Sequence, residues 1–381
     1  MPAAHETGAG ALYGVNRAVI LAVGDLHMAA GERDPFRHDR AFVAFLAAMA
    51  ERRDRAGHPP RLVVLGDLFD LAAAGDGRAP RDEADALTRI DRIAAAHAAV
   101  VTGLAAYAAA GGAIDIVVGN HDADLVRPAV QQRVRGMLGG PGAALAFHPW
   151  ILHVPGVLYA EHGHQHHDVN AFATPLAPWQ PQSPERLALP PAALRSGLSA
   201  AALLAGAGAS PSARARRIAY RAGTLRDAAP ELGLSHAALC AIDAATPRGA
   251  TALAARIARR TTAGGRHPAA AQRRAAERIH RILEAEGCGV PCYAFGHTHV
   301  AERRALGTGG GAAVHLNAGT WSGLRRGGRS EHLAYVEITA GAGAAGARLV
   351  EWATPRGVVR ASAQWRRPPG RDPSETAPAP R

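Results

Sequence analysis

Five short segments bring together side chains of the kind that ligate metals. Gly24-Asp25-Leu26-His27 sets a carboxylate and an imidazole two residues apart, a spacing that an extended turn can aim at one ion. Gly66-Asp67 adds a carboxylate, and Gly119-Asn120-His121-Asp122 adds an amide, an imidazole and another carboxylate. Glu161-His162-Gly163-His164 and Gly296-His297-Thr298-His299 each supply two imidazoles. Holding two divalent cations close together takes such a mixed set of ligands on one rigid edge, best supplied by loops that follow neighbouring strands. A lone Asp in such a loop is more often a turn or cap residue. The joint occurrence of Asp25 and Asp67 with three histidine blocks argues against that reading. His38, His58, His97, His148 and His153 lack the spacing and read as structural. His164, His166 and His167 extend the fourth block, and His164 reads as a substrate contact or supporting group rather than a ligand.

The elements that must position these residues are legible as apolar runs ending in Gly plus a polar residue. They lie at 18–25, 61–67, 113–120 and 157–163, each the pattern of a buried strand feeding a loop. Helical stretches at about 37–56 and 83–110 lie between them and allow right-handed crossovers, so an α/β fold with a largely parallel core is expected. After Asn170 a run of prolines, Pro175 to Pro191, gives way to an Ala/Arg-rich region of helical propensity. Strand patterns resume at 292–298, 312–320, 332–339 and 347–354, separated by Gly-rich turns that suit antiparallel pairing. The expected organisation is an N-terminal tail (1–17), a core (18–170), an inserted helical subdomain acting as a cap (171–275), the rest of the core (276–360) and a disordered tail (361–381).

Composition excludes several chemistries. The 381 residues contain no lysine, so all 43 basic residues are arginine and a Walker A phosphate loop is ruled out. There is no G-x-S-x-G nucleophile elbow either. The net charge of +11 is concentrated in 171–275, where 14 arginines face four acids. That excess makes a nucleic-acid backbone an alternative partner and an anionic membrane surface a peripheral one. Phe172, Trp179 and Tyr220 are too few to stack bases along a single strand. Three cysteines, at 240, 288 and 292, are odd in number and argue against a disulfide framework. With no basic start leading into an apolar run and no stretch of about 20 apolar residues, a cytoplasmic location is expected.

The ordered series GDLH, GDLFD, GNHD, HGH and GHTH resembles the calcineurin-like metallophosphoesterase superfamily, as does NAGTW at 317–321. The match covers about 18–165 and 288–340. It implies an α/β sandwich of two mixed sheets flanked by helices, and hydrolysis of a phosphomonoester, phosphodiester or pyrophosphate. Residue by residue it implies that Asp25, His27 and His299 hold one ion and that Asn120, His162 and His297 hold the other. Asp67 would bridge them, His121 would protonate the leaving oxygen with Asp122 beside it, and Asp70 would orient imidazoles. Manganese is the expected metal, with iron, zinc or nickel as alternatives. The polar run from Gln165 to Asn170 after HGH is similar to the UDP-2,3-diacylglucosamine pyrophosphatase branch, which implies a phosphorylated small-molecule or lipid-linked substrate. A scaffold that has lost its metals is ranked last, since every ligand position holds a competent residue.

Overall fold

Side-chain alternation divides the central strands between two apolar cores. In β1 (Ala18–Val23), Leu21 and Val23 face a cluster shared with helices, while Ile20 and Ala22 face a second cluster. In β2 (Arg61–Val64), Leu62 and Val64 face the first cluster and Val63 the second, as the two-residue period of a strand requires. The computed structural model describes residues 18–54, 57–167, 170–172, 268–307, 313–323, 333–341, 344–353 and 358–366. The expected N-terminal tail, positions 173–267 of the expected insertion and the chain beyond 366 lie outside the described residues.

Two mixed sheets result. The remaining strands of the first are β3 (Ile114–Val117), β4 (Leu145–His148), β10 (Ala334–Gly341), β11 (Ala344–Glu351) and β12 (Val358–Arg366). The second contains β5 (Ile151–Val154), β6 (Leu158–Glu161), β7 (Cys292–Phe295), β8 (Glu302–Leu306) and β9 (Ala313–Asn317). The first sheet runs β12-β11-β10-β1-β2-β3-β4 and the second β5-β6-β7-β9-β8. β1 to β4 are parallel, whereas β10, β11 and β12 add to them antiparallel. In the second sheet β6, β7 and β9 are parallel and the edge strands β5 and β8 antiparallel. The core between the sheets is rich in small residues, among them Ala22, Ala160, Ala294, Ala318, Ala334 and Ala347, so it is filled as much by close backbone approach as by side-chain volume.

Helices cover the outer faces. Against the first sheet lie α1 (Asp39–Glu51), α2 (Glu83–Ala96), α3 (Ala98–Ala109) and α4 (Pro128–Met137). Phe42, Phe45, Leu46 and Met49 form one face of α1 at helical spacing, and each full burial of such a side chain contributes about 1.5–3 kcal/mol. The Phe42 and Phe45 rings meet Trp321, whose indole N–H donates to the Ala334 carbonyl at 2.8 Å. Asp82 caps α2 by accepting from the Asp85 amide at 2.8 Å. Against the second sheet lies α5 (Pro268–Ala285), with Ala276 packed among Tyr159, Tyr293 and Phe295.

Four features depart from the sequence expectations. The stretch 83–110 is two helices, α2 and α3, bent by 91° around His97, whose Nδ1 is held 2.7 Å from Asp39. The resumed strands are not antiparallel neighbours throughout. β8 takes the sheet edge and sends β9 back beside β7 in parallel, and only β10 and β11 form the expected antiparallel pair. α5 begins at Pro268, inside the range expected for the insertion, and β12 runs to Arg366, past the expected start of the tail. No single described helix is long and apolar enough to cross a membrane. The bent pair α2 and α3 passes that test together, but its apolar residues Ile90, Ile93, Val100 and Leu104 are buried in the core.

Candidate metal centre

The C-terminal ends of β1, β2, β3, β6 and β7 lead into the five segments singled out in the sequence, and parallel pairing within each sheet puts those ends on one edge. The loops after β1 and β2 are hydrogen-bonded to each other: Asp25 N–H donates to the Gly66 carbonyl (3.1 Å), His27 to Asp67 (2.8 Å) and Met28 to Leu68 (3.0 Å). Across the sheets, the His297 amide donates to both carboxylate oxygens of Asp25, at 3.0 and 2.9 Å. The His121 amide donates to Asp67 Oδ1 at 2.8 Å. Two glycines make this closeness possible. A Cβ on Gly119 would strike the Asp67 carboxylate, and one on Gly296 would lie 2.6 Å from Asp25 Oδ2.

The backbone itself is unusual here. Among the described residues, the non-glycine residues with positive φ are Asp25, His27, Asp67, His297 and His299, with φ between 51° at Asp67 and 68° at His297. Left-handed backbone costs an L-residue about 1–2 kcal/mol, and it persists where surrounding structure over-determines it. All five are residues the motifs mark as ligands. Strain has therefore collected where ligand atoms must converge.

Those atoms do converge. Within 4.8 Å of one another lie the ligand atoms of Asp25, His27 and His299, of Asp25, Asp67 and His162, and of His27, Asp70 and His121. His27 Nε2 is 3.0 Å from His299 Nε2 and 3.4 Å from Asp67 Oδ2, and His299 Nε2 is 3.1 Å from Asp25 Oδ1. On the other side of Asp67, the same Oδ2 is 3.2 Å from His162 Nε2, which is also 3.2 Å from Asn120 Oδ1. Asp67 thus stands between two groups of side chains that could hold a metal ion. Asp25, His27, Asp67, Asn120, His121 and His162 are all buried, and the His299 side chain is 4% exposed.

Hydrogen bonds at the far ring nitrogens assign the tautomers. His162 Nδ1 lies 2.6 Å from the Leu65 carbonyl, which can only accept, so Nδ1 carries the proton and Nε2 a lone pair. His27 Nδ1 faces Asp70 Oδ2 at 3.4 Å, which leaves Nε2 as the lone-pair atom there too. Lone pairs on His27 and His162 then point at the carboxylates of Asp25 and Asp67. Acceptors aimed at acceptors require positive charge between them. In the metal-free chain a proton meets that requirement: burial opposes a charged ring, but the surrounding carboxylates together, Asp67 first with Asp25 and, at His27, Asp70, outweigh it and lift both His27 and His162 to about 9. Burial likewise raises Asp25 and Asp67, yet the neighbouring imidazoles, led by His299 for Asp25 and His162 for Asp67, pull both well below the ordinary carboxylate range. A divalent cation fits the same place and the same donor set.

Asp70 accepts from two rings, with His121 Nδ1 at 2.8 Å and His27 Nδ1 at 3.4 Å, and its other oxygen caps the Ala73 amide at 2.9 Å. Through these contacts Asp70 holds both rings and the backbone at one point. Asp122 is turned away from the centre. Its oxygens accept from the amides of Gly119 (2.7 Å), Leu68 (2.8 Å) and Phe69 (3.4 Å), and burial lifts its pKa to about 7. Through these bonds it staples two loops together. His297 lies next to His162, with ring centroids 5.2 Å apart, but its Nε2 meets His167 and Asn170. His164 is buried, its ring 5.3 Å from His162 and 4.9 Å from Phe172, and burial holds its pKa well below the usual range.

Several supports come from segments to which the sequence assigned no part in the site. The Asp25 carbonyl accepts from Thr320 Oγ1 (2.8 Å) and from the amides of Trp321 and Ser322 (3.2 Å each), so the NAGTW segment props the first ligand turn. Asn317 Nδ2 donates to the Gly296 carbonyl at 2.6 Å and steadies the last one. Asn170 and His167 lie in the polar run after HGH, which the sequence singled out without giving either residue this contact with His297.

No family model matches the chain, and no curated protein matches it. Among solved structures, it overlays on a conserved uncharacterized protein, a predicted phosphoesterase, from Streptococcus pneumoniae. That overlay has a TM-score of 0.30 and 10% identity, covering 93% of this chain and 100% of that one. Vacuolar Protein Sorting 29 from Cryptosporidium parvum gives a TM-score of 0.36 and 10% identity, covering 92% and 100%. At these scores neither overlay bears on the site, whose reading rests on its own geometry.

Proposed function

We propose that the chain is a metal-dependent phosphoester hydrolase of the calcineurin-like metallophosphoesterase type. The observation that supports it is the pair of lone-pair histidines, His27 and His162, aimed at the shared carboxylate of Asp67 from opposite sides. Asp25, His27 and His299 would hold one divalent cation, Asn120, His162 and His297 a second, and Asp67 both. Such a pair of cations, manganese in the first instance, supplies Lewis-acid charge for the phosphoryl oxygens and acidifies an attacking water.

The chain's own groups account for the rest. Asp70 holds the Nδ1 proton of His121, leaving Nε2 as the atom that exchanges a second proton. That Nε2 stands 4.0 Å from Asp67 Oδ2, at the edge of the ligand cluster where a leaving oxygen would depart. In this reading His121 is the group that protonates that oxygen. Burial of the cluster beneath the five loops excludes bulk water and strengthens each charge interaction. In substrate class the reading extends to phosphomonoesters, phosphodiesters and pyrophosphates of small or lipid-linked molecules.

The test is hydrolysis of p-nitrophenyl phosphate and bis-p-nitrophenyl phosphate by metal-stripped protein to which Mn²⁺ is returned, beside Asp67→Ala and His121→Ala. Activity restored by Mn²⁺ is expected, lost in Asp67→Ala together with metal and lost in His121→Ala with metal retained. An inactive protein that retains less than one ion per chain would overturn the reading.

A further inference from the structure

Two residues that flank positions 173–267 close on the turn bearing His297. On one side, Asn170 Nδ2 lies 3.0 Å from His297 Nε2 and 2.7 Å from His167 Nδ1, and the two ring nitrogens are 3.1 Å apart. On the other, Gln272 near the start of α5 donates from Nε2 to the Gly296 carbonyl at 3.0 Å and accepts from Asn317 Nδ2 at 2.8 Å. Both amide side chains are 2% exposed. Gln272 also occupies the space that a Cβ on Gly163 would need, so it is wedged between the His162 turn and the His297 turn.

The orientation of the Asn170 amide decides what His297 can do. Amide oxygen and nitrogen are told apart only through their partners. With nitrogen toward the ring, Asn170 donates to His297 Nε2, which forces the ring proton onto Nδ1 and leaves neither nitrogen for an ion. With the ends exchanged, the Asn170 oxygen accepts the Nε2 proton and Nδ1 keeps its lone pair. A ring that serves as a ligand donates its other N–H to an oxygen, so the second orientation is the one compatible with a cation.

Resting on the hydrolase reading above, we propose that Asn170 and Gln272 are positioning residues for the second cation, Asn170 by accepting the Nε2 proton of His297 and Gln272 by holding the Gly296 carbonyl. The two amides grip one turn from the two ends of the segment between them in sequence. Neither belongs to the ligand set; Asn170 closes the polar run that follows HGH, and Gln272 lies outside every motif.

The experiment is calorimetric titration of Mn²⁺ into the metal-stripped full chain, for wild type, Asn170→Ala, Asn170→Asp and Gln272→Ala, with the melting temperature of each metal-free sample recorded. In wild type, two ions per chain are expected. Asn170→Ala and Gln272→Ala keep the first ion at wild-type affinity and weaken the second by about 10- to 100-fold. Asn170→Asp, which retains an acceptor, restores it. Two ions at wild-type affinity in both Asn170→Ala and Gln272→Ala overturn this proposal alone, as does a lowered melting temperature with unchanged second-ion affinity. An Asn170→Asp variant as weak as Asn170→Ala overturns the orientation assigned to the amide. A wild-type chain that binds fewer than two ions overturns the dinuclear reading and this proposal with it.

Discussion

At His299 alanine and glycine should exchange their usual rank. In ordinary backbone glycine is less stable than alanine by about 0.5–1 kcal/mol, because the unfolded chain has more freedom to lose. At φ 59° an alanine carries the Cβ clash of left-handed backbone, about 1–2 kcal/mol, and glycine does not. Both substitutions remove the same imidazole, with its 3.0 Å contact to His27 Nε2 and 3.1 Å contact to Asp25 Oδ1, so that loss cancels in the comparison. The remainder leaves His299→Gly more stable than His299→Ala by about 0.75 kcal/mol, the centre of a range of about 0–1.5 kcal/mol. Urea unfolding of the metal-stripped variants, at a slope of about 2 kcal/mol per molar, separates the midpoints by about 0.4 M. Ala95→Gly on the exposed face of α2 provides the control, where glycine should be the less stable. If His299→Ala proves as stable as His299→Gly or more so, the claim that strain is stored at the ligand positions fails.

Other consequences can be measured on the same protein. His27 and His162 are raised from 6.5 to about 9 in the metal-free chain, so their contribution to its stability is full below about pH 6.5 and is lost as pH rises through about 9. Mn²⁺ requires both rings deprotonated. The gap in melting temperature between Mn²⁺-loaded and stripped protein should therefore widen across that window, and a gap constant with pH would contradict the assignment. Gly119→Ala drives a Cβ into the Asp67 carboxylate, and metal analysis should find the Mn²⁺ content reduced in a chain that still folds; wild-type content would refute it. Asp122→Ala leaves the amides of Gly119 and Leu68 without their acceptor, at about 1–3 kcal/mol each, so the expected defect is a lower urea midpoint, and unchanged stability with lost turnover would restore a catalytic part for Asp122. Asp70→Ala should lower kcat/KM about 10- to 100-fold by releasing His121 and His27, read by steady-state kinetics; a wild-type value would deny it that role.

The residues proposed as ligands stand out in the sequence because their chemistry is local. A carboxylate and an imidazole two residues apart after an apolar run announce a loop with something to bind, and the Gly119 and Gly296 positions announce close approach. The strands that carry them were legible for the same reason, since each is a short continuous apolar run. Less visible were β8, an edge strand whose Arg303 and Arg304 are exposed, and β12, where VVRASAQWR has no apolar run to mark it. β4 and β5 are separated only by Pro149 and Trp150, the spacing of a hairpin, yet they lie in different sheets. Pairing partners are chosen by tertiary packing, and nothing within either strand records the choice.

The amino-acid order alone therefore specifies which groups are available for chemistry and which runs must be buried, because residue type and two-residue periodicity are properties of a few neighbouring positions. It does not specify that Asp25, His27, Asp67, His297 and His299 take left-handed backbone, that Asp122 turns toward amides rather than the centre, or that Asn170 and Gln272 meet at one turn. Those outcomes depend on contacts between residues far apart in the chain. Only after the two sheets have stacked and brought Asp25 against the His297 amide, 272 positions away, is there enough surrounding structure to hold strained backbone and convergent acceptors in place.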